Sequence, residues 1–279
     1  MKGDLYFVEA TPYQASTIRS IDKIFYYGDT KFQNVLIAHT PTLGTFLALD
    51  KQVQSSEADY FIYHEALVHP CMAALKNPKR ALIIGGGEGS TAVELLKHKN
   101  VVIDWVEIDG EVVDLCKKFL PFALRHDDKR VNLMIDDGIK FIKKTKHKYD
   151  FIIGDVIEPY MNPIAETIYN EEFARLVNSK LTDQGMYITL AWGKENGKWT
   201  NTPRPSYLTK VFPIVRAINF YMPAFSLDFM LTIASKKIDP SKLDAGTIAR
   251  AIAPIRKKMK FYNEKTHQEL FGSQSYNKK

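Results

Sequence analysis

Four apolar runs of this chain end in glycines or carboxylates. Ala81 to Ile84 runs into Gly85-Gly86-Gly87-Glu88-Gly89, and Val101 to Ile108 leads through Glu107 to Asp109. Val131 to Ile135 stops at Asp136-Asp137-Gly138, and Tyr149 to Gly154 stops at Asp155, with Glu158-Pro159 just beyond. Glycines without a Cβ let a backbone approach a nucleoside closely. Glu88 is the unusual member of that turn. A negative charge is wrong for a pyrophosphate at a helix N-terminus and right for a cation. The loop therefore points to a nucleoside carrying positive charge, such as a sulfonium or an amine.

Each acid has a plain structural alternative. Glu107 lies roughly 20 residues past the glycine turn, where a carboxylate can accept from ribose hydroxyls; otherwise it is a surface acid. Asp137 reads as a contact to an adenine amino group or as the cap of the next helix. Asp155 follows the apolar Phe151-Ile-Ile153 and emerges at a strand end, as a general base or a loop cap. Glu158 reads as a second cation-binding acid or a turn residue. Asp109 and Asp136 read as surface or capping acids. A single acid after a strand is often a cap; four along one edge exceed what capping needs.

These positions depend on the elements that carry them. After Asn77-Pro78, strand-like and helix-like segments alternate: strands at 81–84, 101–108, 131–135, 149–154 and 186–191, with helices at 91–98, 110–119, 139–144 and 171–181. Alternation of this kind predicts an α/β fold, a Rossmann-like, doubly wound and mostly parallel sheet, whose ligands bind beyond the carboxyl strand ends. Phe229 to Ser235 reads as a late antiparallel strand. Residues 1 to about 50 read as β structure, with a hairpin of 32–38 and 45–50 turning at Pro41-Thr-Leu-Gly44. A helix over 57–75 presents Phe61, Ile62, Leu67 and Val68 as its buried face. The expected division is a small N-terminal β domain with its connecting helix over 1–76 and a catalytic domain over 77–279.

Composition narrows the class. The chain has 279 residues, 45% hydrophobic and 25% charged, enough for one large domain or a domain with a smaller one. No apolar run approaches the roughly 20 residues needed to span a bilayer, and the start, Met1-Lys-Gly-Asp-Leu-Tyr6, has no signal-peptide core. Cys71 and Cys116 are the only cysteines, so neither a disulfide framework nor a cysteine metal site is expected, and a cytoplasmic setting fits best. The net charge of +6 does not argue for nucleic acid. Much of the excess sits between Arg256 and Lys279, which reads as a solvated surface, while the site segments are acidic.

Taken together, the motifs resemble a known family. Gln54-Ser-Ser-Glu-Ala-Asp-Tyr-Phe-Ile-Tyr-His-Glu65, His69-Pro70, Asn77-Pro-Lys79 and Ile83-Ile-Gly-Gly-Gly-Glu-Gly89 are similar to those of the polyamine aminopropyltransferases, the spermidine synthase family. Glu107-Ile-Asp-Gly-Glu-Val112, Phe119-Leu-Pro121, Asp137-Gly138, Tyr149-Asp-Phe-Ile-Ile-Gly-Asp155 and Phe261-Tyr-Asn263 continue the match in order. It is weakest over 194–205. Within the family the chain looks most like thermospermine synthases, because of Glu88 rather than Asp, Ile-Ile-Gly-Asp155, and Pro223-Ala-Phe225 where spermidine synthases usually show Tyr.

The resemblance implies transfer of an aminopropyl group from decarboxylated S-adenosylmethionine to a polyamine, releasing 5′-methylthioadenosine. It implies no metal or other cofactor, small cationic substrates, and a homodimer or homotetramer. Carried over by position, Asp155 is the catalytic base, with Tyr63 beside it. Gln33, Gln54, His64, Gly85, Gly87, Glu88, Glu107, Asp137 and Gly138 contact the donor. Tyr63, Glu158 and Phe225 contact the acceptor. Spermidine as acceptor, giving thermospermine, is the favoured expectation, and putrescine is the alternative. Two departures from the family pattern bear on this. Glu158 replaces the usual Asp before proline, moving a carboxylate by about 1.5 Å, one carbon–carbon bond, and Phe225 removes a hydroxyl.

His64 and Tyr63 also admit reading as packed core residues, as do Trp192 and Trp199, which otherwise line the acceptor end. Glu57, Asp59 and Asp228 are candidates for an outer acidic ring. Two rival functions remain at this point. A methyltransferase would share the fold and Glu107, but Ile84 stands where those enzymes usually carry an acid, and Glu88 would repel the donor's carboxylate. A non-catalytic polyamine or nucleoside sensor would be expected to lack the base, and Asp155 is present.

Overall fold

The computed structural model describes residues 5–10, 16–124 and 128–272. The first four residues of the chain and the last seven of its basic C-terminal stretch therefore lie outside the described residues.

Six strands come first: β1 (Leu5–Ala10), β2 (Ser16–Ile21), β3 (Lys23–Asp29), β4 (Asn34–Thr40), β5 (Gly44–Leu49) and β6 (Gln52–Ser56). β1 and β2 form an antiparallel ribbon, and β3 to β6 form a four-stranded antiparallel sheet in chain order. The two central strands of that small sheet, β4 and β5, are buried on both faces. Val35, Ile37, Leu47 and Leu49 pack with Val112, Cys116 and Leu120, while Leu36, Ala38, Phe46 and Ala48 pack with Phe7 and Ala224. Fully burying a side chain of this size contributes about 1.5–3 kcal/mol, so the sheet is pinned to its neighbours from both sides.

Helix α1 (Tyr60–Ala74) follows, then β7 (Arg80–Gly85), α2 (Ser90–Leu96), β8 (Val102–Glu107), α3 (Gly110–Phe119), β9 (Val131–Ile135), α4 (Gly138–Lys144) and β10 (Tyr149–Asp155). Beyond them come α5 (Pro163–Glu166), α6 (Glu171–Lys180), β11 (Leu181–Leu190), the hairpin β12 (Trp192–Glu195) and β13 (Lys198–Asn201), and α7 (Ser206–Thr209). β14 (Ile214–Met222), β15 (Leu227–Ser235), α8 (Ala245–Ile252) and α9 (Glu264–Gly272) end the described chain. The main sheet has seven strands in the order β14-β15-β11-β10-β7-β8-β9. Its inner pairs are parallel, and β15 and β14 add antiparallel at one edge. β7 and β10 are apolar and buried along almost their whole length, as expected of strands covered on both faces.

α1 differs from expectation. Phe61 and Ile62 are only partly buried, whereas every residue from His64 to Ala74 is buried. The helix packs on α2, α8 and the main sheet, so it lacks a wet face and its apolar residues show no single stripe. β14 was also not anticipated. Its Arg216, Asn219 and Tyr221 interrupt the apolar run of an edge strand.

Candidate active site

β7 and β10 are neighbours, but the chain leaves them in opposite directions, to β8 and β9 on one side and to β11 on the other. A crevice opens beyond the carboxyl ends of strands at such a switch point. Gly85 ends β7 and Asp155 ends β10, and the two are register partners. The glycine turn is shaped by that neighbour as much as by any nucleoside. Gly85 has φ +87°, and a Cβ there would lie 2.2 Å from the Asp155 carbonyl oxygen. Gly86 donates its N–H to the same carbonyl at 2.7 Å. A Cβ on Gly86 would come within 2.8 Å of Asp155 Oδ2.

A cavity of about 850 Å³ occupies this crevice and runs under the small β sheet. It is lined by every site residue expected from the sequence: Gln33, Gln54, Tyr63, His64, Gly85, Gly87, Glu88, Glu107, Asp137, Gly138, Asp155, Glu158 and Phe225. Asp228 and Trp192 line it too. The other outer candidates are engaged elsewhere. Glu57 accepts the Thr45 N–H at 3.1 Å. Asp59 accepts the Ser56 hydroxyl at 2.7 Å and the Ala224 N–H at 2.7 Å. Trp199 packs edge-on to Tyr169 with the Lys194 ammonium over its face.

At the centre, the Tyr63 hydroxyl donates to Asp155 Oδ1 at 2.9 Å, and the Thr91 hydroxyl donates to Oδ2 at 2.5 Å. Burial pushes the Tyr63 phenol well above its usual range, and the Asp155 charge pushes it further. Tyr63 therefore keeps its proton and serves as a donor. Beside it, Glu88 Oε1 accepts from Ser55 at 3.1 Å and lies 3.1 Å from His64 Nε2. His64 Nδ1 lies 2.7 Å from the Tyr60 carbonyl oxygen, to which it can only donate. Burial raises the Glu88 carboxyl, against the lowering effect of His64.

On β8, Glu107 Oε1 accepts the Asp109 N–H at 2.9 Å. Burial nevertheless lifts Glu107 to about 7. Burial raises Glu158 as well. A carboxylate raised by desolvation gains from any cation or hydroxyl donor brought to it. Asp137 Oδ1 accepts the N–H groups of Ile139 and Lys140 at 2.8 and 3.1 Å, so it caps α4 and lines the cavity at once. Gly138 allows the tight approach of Ile84, whose Cγ2 would lie 2.5 Å from an added Cβ.

Several participants were not singled out beforehand. Thr91 and Ser55 hold the central acids, and neither has a spacing that marks it. Asp109 does cap α3. It is also buried, and its Oδ2 accepts from Thr30 at 2.6 Å and from Gln33 Nε2 at 3.0 Å, tying the small sheet to the main one. Glu9 lines the cavity from β1, with Oε1 accepting the Val53 N–H at 2.8 Å and Oε2 facing Arg19 at 3.3 Å.

The spermine/spermidine synthase domain matches residues 60–244, and the spermidine synthase tetramerisation domain matches 5–57. The chain belongs to the spermine/spermidine synthase family. Polyamine aminopropyltransferase 2 of Hyperthermus butylicus is 36% identical over 260 residues, covering 91% of this chain and 85% of that protein. The polyamine aminopropyltransferase of Methanocaldococcus jannaschii is 33% identical over 274 residues, covering 97% and 92%. A crystal structure of spermidine synthase in complex with the transition-state analogue AdoDATO superposes with a TM-score of 0.83 at 30% identity, covering 96% of this chain and 91% of that one. Spermidine synthase from Thermotoga maritima superposes with a TM-score of 0.81, also at 30% identity.

The enzyme is thus a polyamine aminopropyltransferase, a transferase of alkyl groups other than methyl. The family's co-substrate is decarboxylated S-adenosylmethionine. That settles the rivalry with a methyltransferase, in line with Ile84 rather than an acid preceding the glycines. Among the described residues no group of three or more His, Cys, Asp or Glu is arranged to hold a metal ion. None of their helices is long and apolar enough to cross a membrane.

Proposed function

We propose that the enzyme moves the aminopropyl group of decarboxylated S-adenosylmethionine to spermidine, giving thermospermine and 5′-methylthioadenosine, with Asp155 as the base. The observation that carries this reading is the single cavity in which Asp155, Glu88, Glu107 and Glu158 converge. In this reading Glu107 accepts from the ribose hydroxyls, Asp137 and Gly138 meet the adenine, and Glu88 holds the donor's ammonium. Gln33, Gln54 and His64 complete the donor wall. Tyr63, Glu158 and Phe225 face the acceptor.

The chemistry is a displacement at carbon. The amine lone pair forms a new C–N bond, the C–S bond breaks, and its electron pair turns the sulfonium into a neutral thioether. The leaving group needs no acid, so the demand falls on the nucleophile. An aliphatic amine with a pKa near 10.4 is only about one part in 10³ free base at neutral pH. Asp155 receives that proton, oriented by the Tyr63 hydroxyl. Alignment of two bound reactants supplies a further share, worth up to about 7–11 kcal/mol. Both reactants are cations and repel each other. The acids lining the cavity offset this locally, whatever the sign of the net charge.

Spermidine is favoured over putrescine because the acceptor side carries both acidic and apolar side chains. Glu158 and Asp228 line it together with Trp192, Phe225 and Phe229, a combination suited to ammoniums separated by methylenes. Phe225 offers no hydroxyl to a short diamine. The spermidine synthase reading is kept because the solved relatives bear that name. Incubation of the enzyme and donor with putrescine, cadaverine, norspermidine and spermidine in turn, followed by chromatographic separation of products, tests the acceptor. Spermine and thermospermine are isomers, so retention rather than mass must distinguish them. Thermospermine as the dominant product is expected; efficient turnover of putrescine alone overturns the choice. We also propose a homodimer or homotetramer, on the match to a tetramerisation domain over 5–57, and a cytoplasmic setting, which suits the free Cys71 and Cys116.

A further inference from the structure

We infer that Thr91 is a positioning residue for the aminopropyl transfer, acting only through Asp155. Thr91 lies in the first turn of α2, 1% exposed and behind the residues that line the cavity. Its hydroxyl donates to Asp155 Oδ2 at 2.5 Å, while Tyr63 donates to Oδ1 at 2.9 Å. The two donors come from α2 and α1, and β10 itself is held by the Gly86 N–H on the Asp155 carbonyl at 2.7 Å. Each carboxylate oxygen can accept two hydrogen bonds. Tyr63 and Thr91 take one on each, leaving one on each oxygen for the amine.

A donor on a carboxylate stabilises the anion and so weakens the base. A bond that lowers basicity at the proton-accepting group is useful there only if it fixes direction. Gly86 makes room for this orientation, since a Cβ there would lie 2.8 Å from Oδ2. Thr91 on Oδ2 and Tyr63 on Oδ1 hold the carboxylate in the orientation that the glycine permits. An unaligned base loses the advantage of proximity, and small misplacements cost up to about a hundredfold.

This inference rests on Asp155 being the base, and the experiment separates the two. Thr91→Val keeps shape and removes the hydroxyl; Thr91→Ser keeps the hydroxyl and removes the methyl. Thr91→Val should lower kcat about tenfold with the donor KM unchanged, and should move the acid limb of the kcat/KM profile to higher pH. Thr91→Ser should restore both. Equal losses in the two variants, or a Thr91→Val profile superposable on the parent's, overturn the inference. Calorimetric binding of 5′-methylthioadenosine shows whether each variant is folded. If Thr91→Val does not bind it, the decision passes to Thr91→Ser against Thr91→Ala, where loss in Ala alone is expected and equal loss overturns. Asp155→Asn run alongside isolates the base: if that variant still turns over, the base assignment fails, whatever Thr91 does.

Discussion

The two halves of the cavity are built differently. The half proposed for the donor is built chiefly on strand ends in one parallel sheet, with Gln33, Gln54 and His64 reaching in from the small sheet and α1. Gly85, Glu107 and Asp155 terminate β7, β8 and β10, and adjacent strands are locked in register. Trp105 on β8 donates to the Gly85 carbonyl at 2.8 Å and stands under the turn. The half proposed for the acceptor is made mostly of connections. It uses the segment from Val156 to Ile168, the β12–β13 hairpin and the turn joining β14 to β15. Besides the buried Ala224 N–H to Asp59 bond at 2.7 Å, its ties include a half-exposed Lys194–Glu166 ion pair at 2.6 Å and an edge-to-face contact of Tyr160 with Trp192 at 5.2 Å. The ion pair and the aromatic contact contribute about 0–1 and 0.5–1.5 kcal/mol respectively. The half proposed to bind the nucleoside is thus fixed mainly through paired backbone, and the half proposed to choose the amine mainly through side-chain contacts.

Asp155 stands where the halves meet, so its loss should be felt most. Asp155→Asn should cut turnover by at least about 10², the lower range for general-base catalysis, with donor binding retained because Glu88 and Glu107 are untouched. Measured kcat beside calorimetric donor affinity checks it. A variant that keeps its rate breaks the assignment, and one that loses donor binding breaks the division into halves.

The next effect is smaller and should sort by half. Glu88→Gln should raise the donor KM and leave the acceptor KM alone; Glu158→Gln should do the reverse. Each removes a hydrogen bond to a charged group, worth about 1.5–3 kcal/mol, so a tenfold to hundredfold change is expected. Initial rates with one substrate varied at a time give both constants. If either variant shifts both equally, the two acids share one ligand and the boundary drawn between them is wrong.

The same contrast explains what the sequence disclosed. The donor half was legible because its requirements are local: an apolar run, a glycine turn and an acid occupy consecutive positions, and the parallel sheet aligns their ends. Glu107, Asp137 and Asp155 followed from that pattern alone. Thr91, Ser55 and Asp109 did not, because they act across elements. Thr91 reaches Asp155 over 64 positions, Ser55 reaches Glu88 over 33, and Gln33 reaches Asp109 over 76. Nor did the dry setting of α1, since a helix buried all round shows no stripe. The acceptor half was legible only as departures from a pattern, Glu158 and Phe225, because loops carry no periodicity to read.

The last effect is on stability rather than turnover and concerns the cost of burying an acid in the half proposed for the donor. Burial holds the Glu107 carboxyl at about 7 in the folded enzyme, against an ordinary value of 4.5. Between those values the folded protein keeps a proton that the unfolded chain has released. Stability therefore falls as pH rises through this window, and the loss is complete above it. Glu107→Gln does not titrate, and its amide oxygen can keep the bond from the Asp109 N–H. The variant should accordingly gain on the parent in Tm as pH rises from about 4.5 to about 7, then hold a constant lead, at roughly 2–4 °C for each kcal/mol. The parent's donor affinity should rise through the same window, because only the anion accepts freely from both ribose hydroxyls, while the variant binds donor weakly at every pH. Thermal melts and donor titrations from pH 4.5 to 8.5 test both. A Tm difference that stays flat would mean that Glu107 is not strained by its burial, and the donor half would then owe its rigidity to backbone without any penalty at its acids.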